Sequence, residues 1–279
     1  MPELPELETL RRGLEREAVG RRVKSAEVPV AKAIHRNGSR KAFQARVEGT
    51  KIKSVDRRSS LLVFTLDSGD LLVVDIGATG QLRRAAPKDD APKDTLLVMS
   101  FTQGGQLRMA DSEQAAEAFV VTPELLTEEV PALANLGLDP VASPVSWTAF
   151  AQALVARRAE KLKPLLLDPS FVVGLGGLYA DEILHDAGLR PDREVSTLST
   201  MEIRRLYRSL VEILHEATKH HGTSTDEHPF SDLHGKEGGF QEELQVWGRD
   251  GQPCRRCRQT VTKQRSGGRL TYWCPSCQV

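Results

Sequence analysis

No stretch of the 279-residue sequence approaches the roughly 20 consecutive apolar residues of a membrane-spanning helix, which excludes a membrane-embedded protein. No basic segment followed by an apolar run opens the chain, so no secretory leader is read and the expected compartment is the reducing cytosol, where disulfides are rare. Charge of either sign is not in excess: 38 Lys and Arg face 38 Asp and Glu, a poor sign of nucleic-acid binding taken as a total. Internal repeats and low-complexity tracts are also missing. What remains is 39% apolar and 27% charged residues, the composition of a soluble globular protein. The length suits two domains with a small appendage.

The charge is unevenly spread. Between Arg21 and Arg58 lie Arg22, Lys24, Lys32, Arg36, Arg40, Lys41, Arg46, Lys51, Lys53 and Arg57 against only Glu27, Glu48 and Asp56. From Gly251 onward the tail holds Arg255, Arg256, Arg258, Lys263, Arg265 and Arg269 and no acid. Acidic stretches around Asp111–Glu129 and Asp226–Glu237 cancel these in the sum. Either run could be only a solvated face.

Leu7, Leu10 and Leu14 stand at helical spacing between Pro5 and Gly20, which predicts a helix from Glu6. From Val23 to Val121 the pattern changes to short β-type runs. Leu61–Leu66 and Leu71–Ile76 flank Asp67-Ser68-Gly69-Asp70, and Leu96–Phe101 and Leu107–Met109 flank Gly104-Gly105, so a β-sandwich or barrel is expected. Pro140, Ser143 and Pro144 read as a linker. Beyond it, residues 147–157, 161–167, 173–186 and 201–219 read as helices, and 222–239 as a polar, mobile loop. The fold class is α+β and multidomain, with expected boundaries at 1–137, 138–240 and 241–279.

All four cysteines fall in the tail as Cys254, Cys257, Cys274 and Cys277, two pairs with two intervening residues each, separated by sixteen. This is the spacing of a four-thiolate structural Zn2+ site, in which two knuckles complete a tetrahedron and leave no open position. One ion would fold a segment of too little apolar content to hold itself together. Two disulfides are the alternative, disfavoured by the compartment. Arg269 lies between the knuckles, at the tip of the hairpin they would support.

The chain opens Met1-Pro2-Glu3-Leu4-Pro5-Glu6-Leu7-Glu8. Removal of the initiator methionine leaves Pro2 with a free secondary amine, and an α-amino group with a pKa near 8 is partly unprotonated at neutral pH. Such an amine can attack a sugar C1′, and the adjacent Glu3 carboxylate can supply or relay protons. Pro-Glu is also a natural helix start. His220-His221 fits a helix end interacting with the dipole better than a metal site, Trp147, Trp247 and Trp273 read as packing residues, and Gly174, Gly176 and Gly177 as a helix turn rather than a phosphate loop.

Taken in order, PELPELE, Arg57-Arg58 before a β-run, DIGATGQLR, Lys163-Pro164, VVGLGGLYADEIL, GLRPDR, ELQVWGRDGQPC and the cysteine finger closely resemble the formamidopyrimidine-DNA glycosylase (Fpg/Nei) family over nearly the whole chain, and the opening resembles its Fpg branch. The resemblance implies an N-terminal helix with a β-sandwich, then a helical domain with a helix-two-turns-helix and a zinc finger. It implies a monomeric base-excision-repair enzyme of the bacterial cytoplasm and nucleoid, a DNA glycosylase and abasic-site lyase whose partner is damaged DNA. Under it Pro2 is the Schiff-base nucleophile, Glu3 the catalytic acid, and Arg269 the finger arginine that grips phosphate and assists elimination. Lys163 matches a phosphate-contacting lysine and Arg158 a further basic DNA contact, both of which fix register without reading sequence.

The chain departs from the family where a base is probed and extruded. Ser60 stands where the family has a lysine, and Gly77-Ala78-Thr79-Gly80 where a methionine wedge is usual. Asp111-Ser112-Glu113-Gln114-Ala115-Ala116-Glu117 replaces a loop bearing arginine and phenylalanine, Gly177 an asparagine, and Asp94 a histidine. Altered lesion preference is therefore expected. A non-catalytic DNA-binding protein on the same scaffold is the competing class, against which the retention of both Pro2 and Glu3 argues.

Overall fold

The computed structural model describes residues 2–226, 229–266 and 269–279; Met1, whose removal the sequence reading assumes, lies outside them. Packing divides the chain into two compact units, one of Pro2 with Glu6–Ala134 and His221–Gly239, the other of Glu3–Pro5, Asn135–His220 and Phe240–Val279. Residues 221–239, expected with the helical domain, thus pack in the first unit, and the cysteine tail packs with the helices of the second. No described helix is long and apolar enough to cross a membrane.

In the first unit, helix α1 (Leu4–Ala18) starts two residues before its expected start, with Pro5 in its first turn. Its buried Leu7, Leu10 and Leu14 join a core made by two antiparallel sheets. One has the order β1-β6-β7-β5, from strands β1 (Val23–Glu27), β5 (Gln81–Ala85), β6 (Thr95–Phe101) and β7 (Gln106–Ala110). The other has the order β2-β3-β4-β8, from β2 (Ile52–Arg58), β3 (Leu61–Leu66), β4 (Leu71–Asp75) and β8 (Glu117–Val121). The unit is a β-sandwich, which resolves the sandwich-or-barrel alternative. Leu62, Phe64 and Leu66 of β3 enter the shared core, while Leu61 and Val63 enter a second cluster with Phe119 and Leu126. Both faces of that strand are covered, so its sequence is continuously apolar rather than alternating.

The segment between β1 and β2, read as β structure, instead contains a 3-10 turn at Ala31–Asn37 and helix α2 (Arg40–Val47). Ser39 caps α2 by accepting the Ala42 amide at 3.1 Å. Asn37 seals the outer edge of β8, donating to the Val120 carbonyl and accepting from its amide, each at 2.9 Å. The helix α3 (Leu126–Glu129) follows β8 and carries the buried Leu126.

The second unit contains α4 (Trp147–Val155), α5 (Leu162–Leu166), α6 (Gly177–Ala187), α7 (Thr200–Lys219) and a hairpin of β9 (Thr262–Ser266) with β10 (Arg269–Trp273). Its core runs from Phe150, Leu165 and Ile183 to Leu210, and takes in Cys254, Val261, Tyr272 and Cys274 of the tail. The tail therefore borrows the helical core, which answers its own shortage of apolar residues. Helix α6 is buried nearly throughout, yet carries Asp181, Glu182 and His185. Buried polar groups persist only with partners, and those partners organise the site.

Candidate active site and zinc centre

Helix α6 begins four residues later than its apolar pattern suggests, because Val173 and Gly174 form a turn, with Gly174 at φ 69°, and Gly176 caps the helix in an extended conformation. The freed amides at this N-terminus hold the Glu3 carboxylate: Gly176 donates at 2.7 Å, Leu178 at 3.0 Å and Tyr179 at 3.3 Å. A helix N-terminus favours negative charge through its unsatisfied amides and its dipole. The Leu4 amide bonds the Gly174 carbonyl at 2.8 Å, so backbone and side chain are both fixed at the chain start. Gly176 is required by contact, since a Cβ there would run into the Glu3 carboxylate. The glycine-rich turn thus does cradle an anion, but the anion is the protein's own. Pro2, half-buried, immediately precedes this anchored residue.

Sequence reading passed over Glu6. It is 3% exposed within the first unit, and its carboxylate accepts the Thr223 amide at 2.7 Å. Gly222, at φ 85°, lies against Glu6 where a side chain would collide with it. The described residues of 221–239 are tied further by Arg84, whose amide bonds the Leu233 carbonyl at 2.7 Å, and by Arg83 toward the Asp232 carbonyl at 3.4 Å. The expected mobile loop is therefore anchored at several described points. A carboxylate in PELPE that is not itself next to the nucleophile was the available clue.

The four cysteine sulfurs lie within 4.8 Å of one another, with Cys254 to Cys277 at 3.9 Å and Cys257 to Cys274 at 3.4 Å. Zinc–sulfur bonds of about 2.3 Å in a tetrahedron put sulfurs about 3.8 Å apart, so the donor set fits one structural Zn2+. No disulfide joins them. Nε2 of the buried His185 sits 3.5 Å from the Cys254 sulfur, an outer partner of the kind that orients metal ligands.

Arg269 opens β10, is exposed, and its side chain has no hydrogen-bond or ion-pair partner among the described residues. Arg158 is also exposed, and its side chain has no hydrogen-bond or ion-pair partner among the described residues. Lys163 departs from its expected role: it is 2% exposed, with Nζ 2.6 Å from Asp181 and 2.7 Å from the Leu270 carbonyl, so its ammonium faces protein rather than phosphate. Burial pulls the Lys163 ammonium down and pushes the Asp181 carboxyl up, each against the pull of the other. Burial likewise raises Glu182, against the amides of Trp247, Val246 and Gln245 that it accepts at 2.8–3.0 Å.

The turns at Gly77–Gly80 and Asp111–Glu117 are closed on each other. Asp111 accepts the Thr79 hydroxyl at 2.6 Å and the amides of Glu113, Ala115 and Ala116 at 2.8–3.0 Å. Burial acts the other way, but these donors together hold its carboxyl below the usual range. Ala78 and Thr79 are exposed on the first turn, and Ser112, Glu113, Gln114 and Ala115 on the second. Ser60 is half-buried in the β2–β3 turn, and Asp94 meets Asp111 only through backbone, its carbonyl accepting at 3.0 Å. Gly177 faces Trp247, whose ring would lie 3.3 Å from an added Cβ. Trp247 packs on Tyr272, Trp147 on Tyr207, and Trp273 beneath Arg190, in keeping with packing roles.

Three family profiles match this chain: the formamidopyrimidine-DNA glycosylase N-terminal domain over residues 1–117, the H2TH domain of the same enzymes over 136–228, and the zinc finger found in FPG and IleRS over 251–279. A formamidopyrimidine-DNA glycosylase of Pelotomaculum thermopropionicum is 37% identical over all of the chain and 99% of the relative. One of Heliobacterium modesticaldum is 38% identical, with both chains covered completely. The Lactococcus lactis Fpg in complex with DNA containing an abasic site has the same fold at a TM-score of 0.87 and 30% identity, again over both whole chains.

Proposed function

The chain belongs to the formamidopyrimidine-DNA glycosylase family, and from that premise we propose that it excises damaged bases from DNA through a Schiff base on Pro2 and then cleaves the strand by elimination. The reading is carried by the Glu3 cradle: a carboxylate anchored by three amides directly beside the residue whose amine would attack. Retaining an N-terminal amine next to a fixed proton carrier serves no purpose in binding alone.

In this mechanism the Pro2 nitrogen forms a bond to C1′, the glycosidic bond breaks, and the base leaves with the bonding pair and takes up a proton from water. Glu3 takes the proton released from the amine and passes it to the ring oxygen as the ring opens, leaving an iminium at C1′. Loss of a proton from C2′ then expels the 3′ phosphate. Arg269 would neutralise charge on the leaving phosphate, while Arg158 would add a contact that sets register. Cys254, Cys257, Cys274 and Cys277 would hold a zinc ion that takes no part in the chemistry and would fix the knuckles on either side of Arg269. The proposed division of labour is residues 1–137 for catalysis, 138–240 for DNA binding and 241–279 for the finger, although 221–239 pack with the first of these.

We further propose reduced action on oxidised purines in duplex DNA, with relative preference for abasic, single-stranded or bulky-lesion substrates. Extruding a stacked base costs a few kcal/mol, least where it is damaged or unpaired. A side chain as short as Ala78, on a turn tied to Asp111 through Thr79, cannot fill the space that a flipped base vacates. Borohydride trapping across single- and double-stranded lesions tests both parts. A covalent adduct on abasic DNA that disappears in Pro2→Gly is expected; no adduct with the unaltered chain would leave only a binding protein. Excision of 8-oxoguanine from duplex as fast as that of an ordinary family member would refute the altered preference.

A further inference from the structure

Lys163 and Asp181 form a buried ion pair with no evident place in the reaction, being 2% and 0% exposed. Such pairs are poor stabilisers, because desolvation offsets their attraction, and apolar residues of similar size often serve as well. This pair does something that apolar residues cannot. Residues two apart on a strand point their polar groups to the same side, and here Lys163 Nζ donates to the Leu270 carbonyl at 2.7 Å while the second Asp181 oxygen accepts the Tyr272 amide at 2.9 Å. Together they take the place of a third strand along the outer edge of β10, whose first residue is Arg269. Asp181 stands on α6, two residues after the last amide that holds Glu3.

We propose that Lys163 and Asp181 are positioning residues, which pin β10 to α6 and so hold Arg269 at a set distance from Glu3 to grip a DNA backbone phosphate. This rests on the reading of Arg269 as a phosphate contact. It replaces a direct phosphate role for Lys163 with an indirect one: the ammonium sets the arginine that reaches the DNA.

The test is a double-mutant cycle on the zinc-loaded full chain, measuring the Kd for a duplex with an uncleavable tetrahydrofuran abasic analogue at one salt concentration. Arg269→Ala and Lys163→Met are each expected to weaken binding about tenfold, the worth of one charge-assisted contact. In the Arg269→Ala background Lys163→Met should add almost nothing, because the two act on one contact. Full additivity, as expected of a direct phosphate contact or a general loss of stability, overturns the proposal, and so does an unchanged Kd for either single variant. If Lys163→Met is recovered without zinc, Asp181→Asn, which keeps an acceptor for the Tyr272 amide, takes its place with the same expectations. Borohydride trapping by the unaltered chain reports on Pro2 chemistry separately, so the catalytic reading and the positioning of Arg269 can fail independently.

Discussion

Gly176 makes the tightest demand of any single residue at the candidate site. Its backbone, at φ −111° and ψ −167°, is one that any residue adopts, so alanine meets no conformational strain there. Its Cβ would instead collide with the Glu3 carboxylate. Gly176→Ala should therefore lower base excision and adduct formation about a hundredfold, the order expected when a catalytic group moves by about an ångström. The loss of stability should stay near 1 kcal/mol, as for an unfavourable helix cap. Single-turnover excision beside a melting curve measures both, and wild-type rates in the variant would show that Glu3 need not sit on these amides. This anchor could not be read from sequence, because Glu3 and Gly176 are 173 positions apart. The burial of Lys163 was hidden for a similar reason: a lysine reads as surface until Asp181, eighteen positions on, is brought beside it.

Among the elements, α1, the β3–β4 and β6–β7 hairpins and the long α7 were legible because their apolar spacing is strong, whereas β5, with only Leu82 buried, was not. Helix α2 was not, since only Phe43 and Val47 are buried on it and its signal rests on Ser39. The N-terminal end of α7 offers a test of local electrostatics. Ser199 and Glu202 form a capping box there, and Arg193 bonds Glu202 at 2.6 Å. That guanidinium first, then the Ser199 amide and hydroxyl, against some burial, bring the Glu202 carboxyl from 4.5 down to about 2. A carboxyl depressed on folding contributes stability above its unfolded value and loses it as pH falls through the folded one. Glu202→Gln should thus lower Tm by about 2–4 °C at neutral pH, for a loss near 1 kcal/mol. The gap should narrow as pH falls from 4.5 toward 2. A gap independent of pH across that window would mean that the charge contributes nothing.

For the whole molecule, the decisive fact is that the two units have separate cores, and only one of them contains cysteine. The core of the sandwich takes nothing from the tail, whereas Cys254 and Cys274 lie in the core of the helical unit beside Tyr272 and Ile183. Zinc would therefore do more than shape a finger: the knuckles it would hold form part of the wall against which α6 packs, and α6 in turn carries Asp181 and Glu182 and holds the Glu3 carboxylate at its N-terminus. Binding energy for a structural zinc is folding energy for the segment that binds it. Stripping the metal with a strong chelator should accordingly expose the amides of 245–247 and of Tyr272 to rapid hydrogen exchange, and then those of α6. The amides of β3, β4 and β7 should keep their protection. Restoring zinc should reverse the change together with adduct formation, since the Glu3 cradle depends on α6. Uniform loss of protection across both units, or α6 amides that stay protected without metal, would show that the finger is not a working part of the helical core.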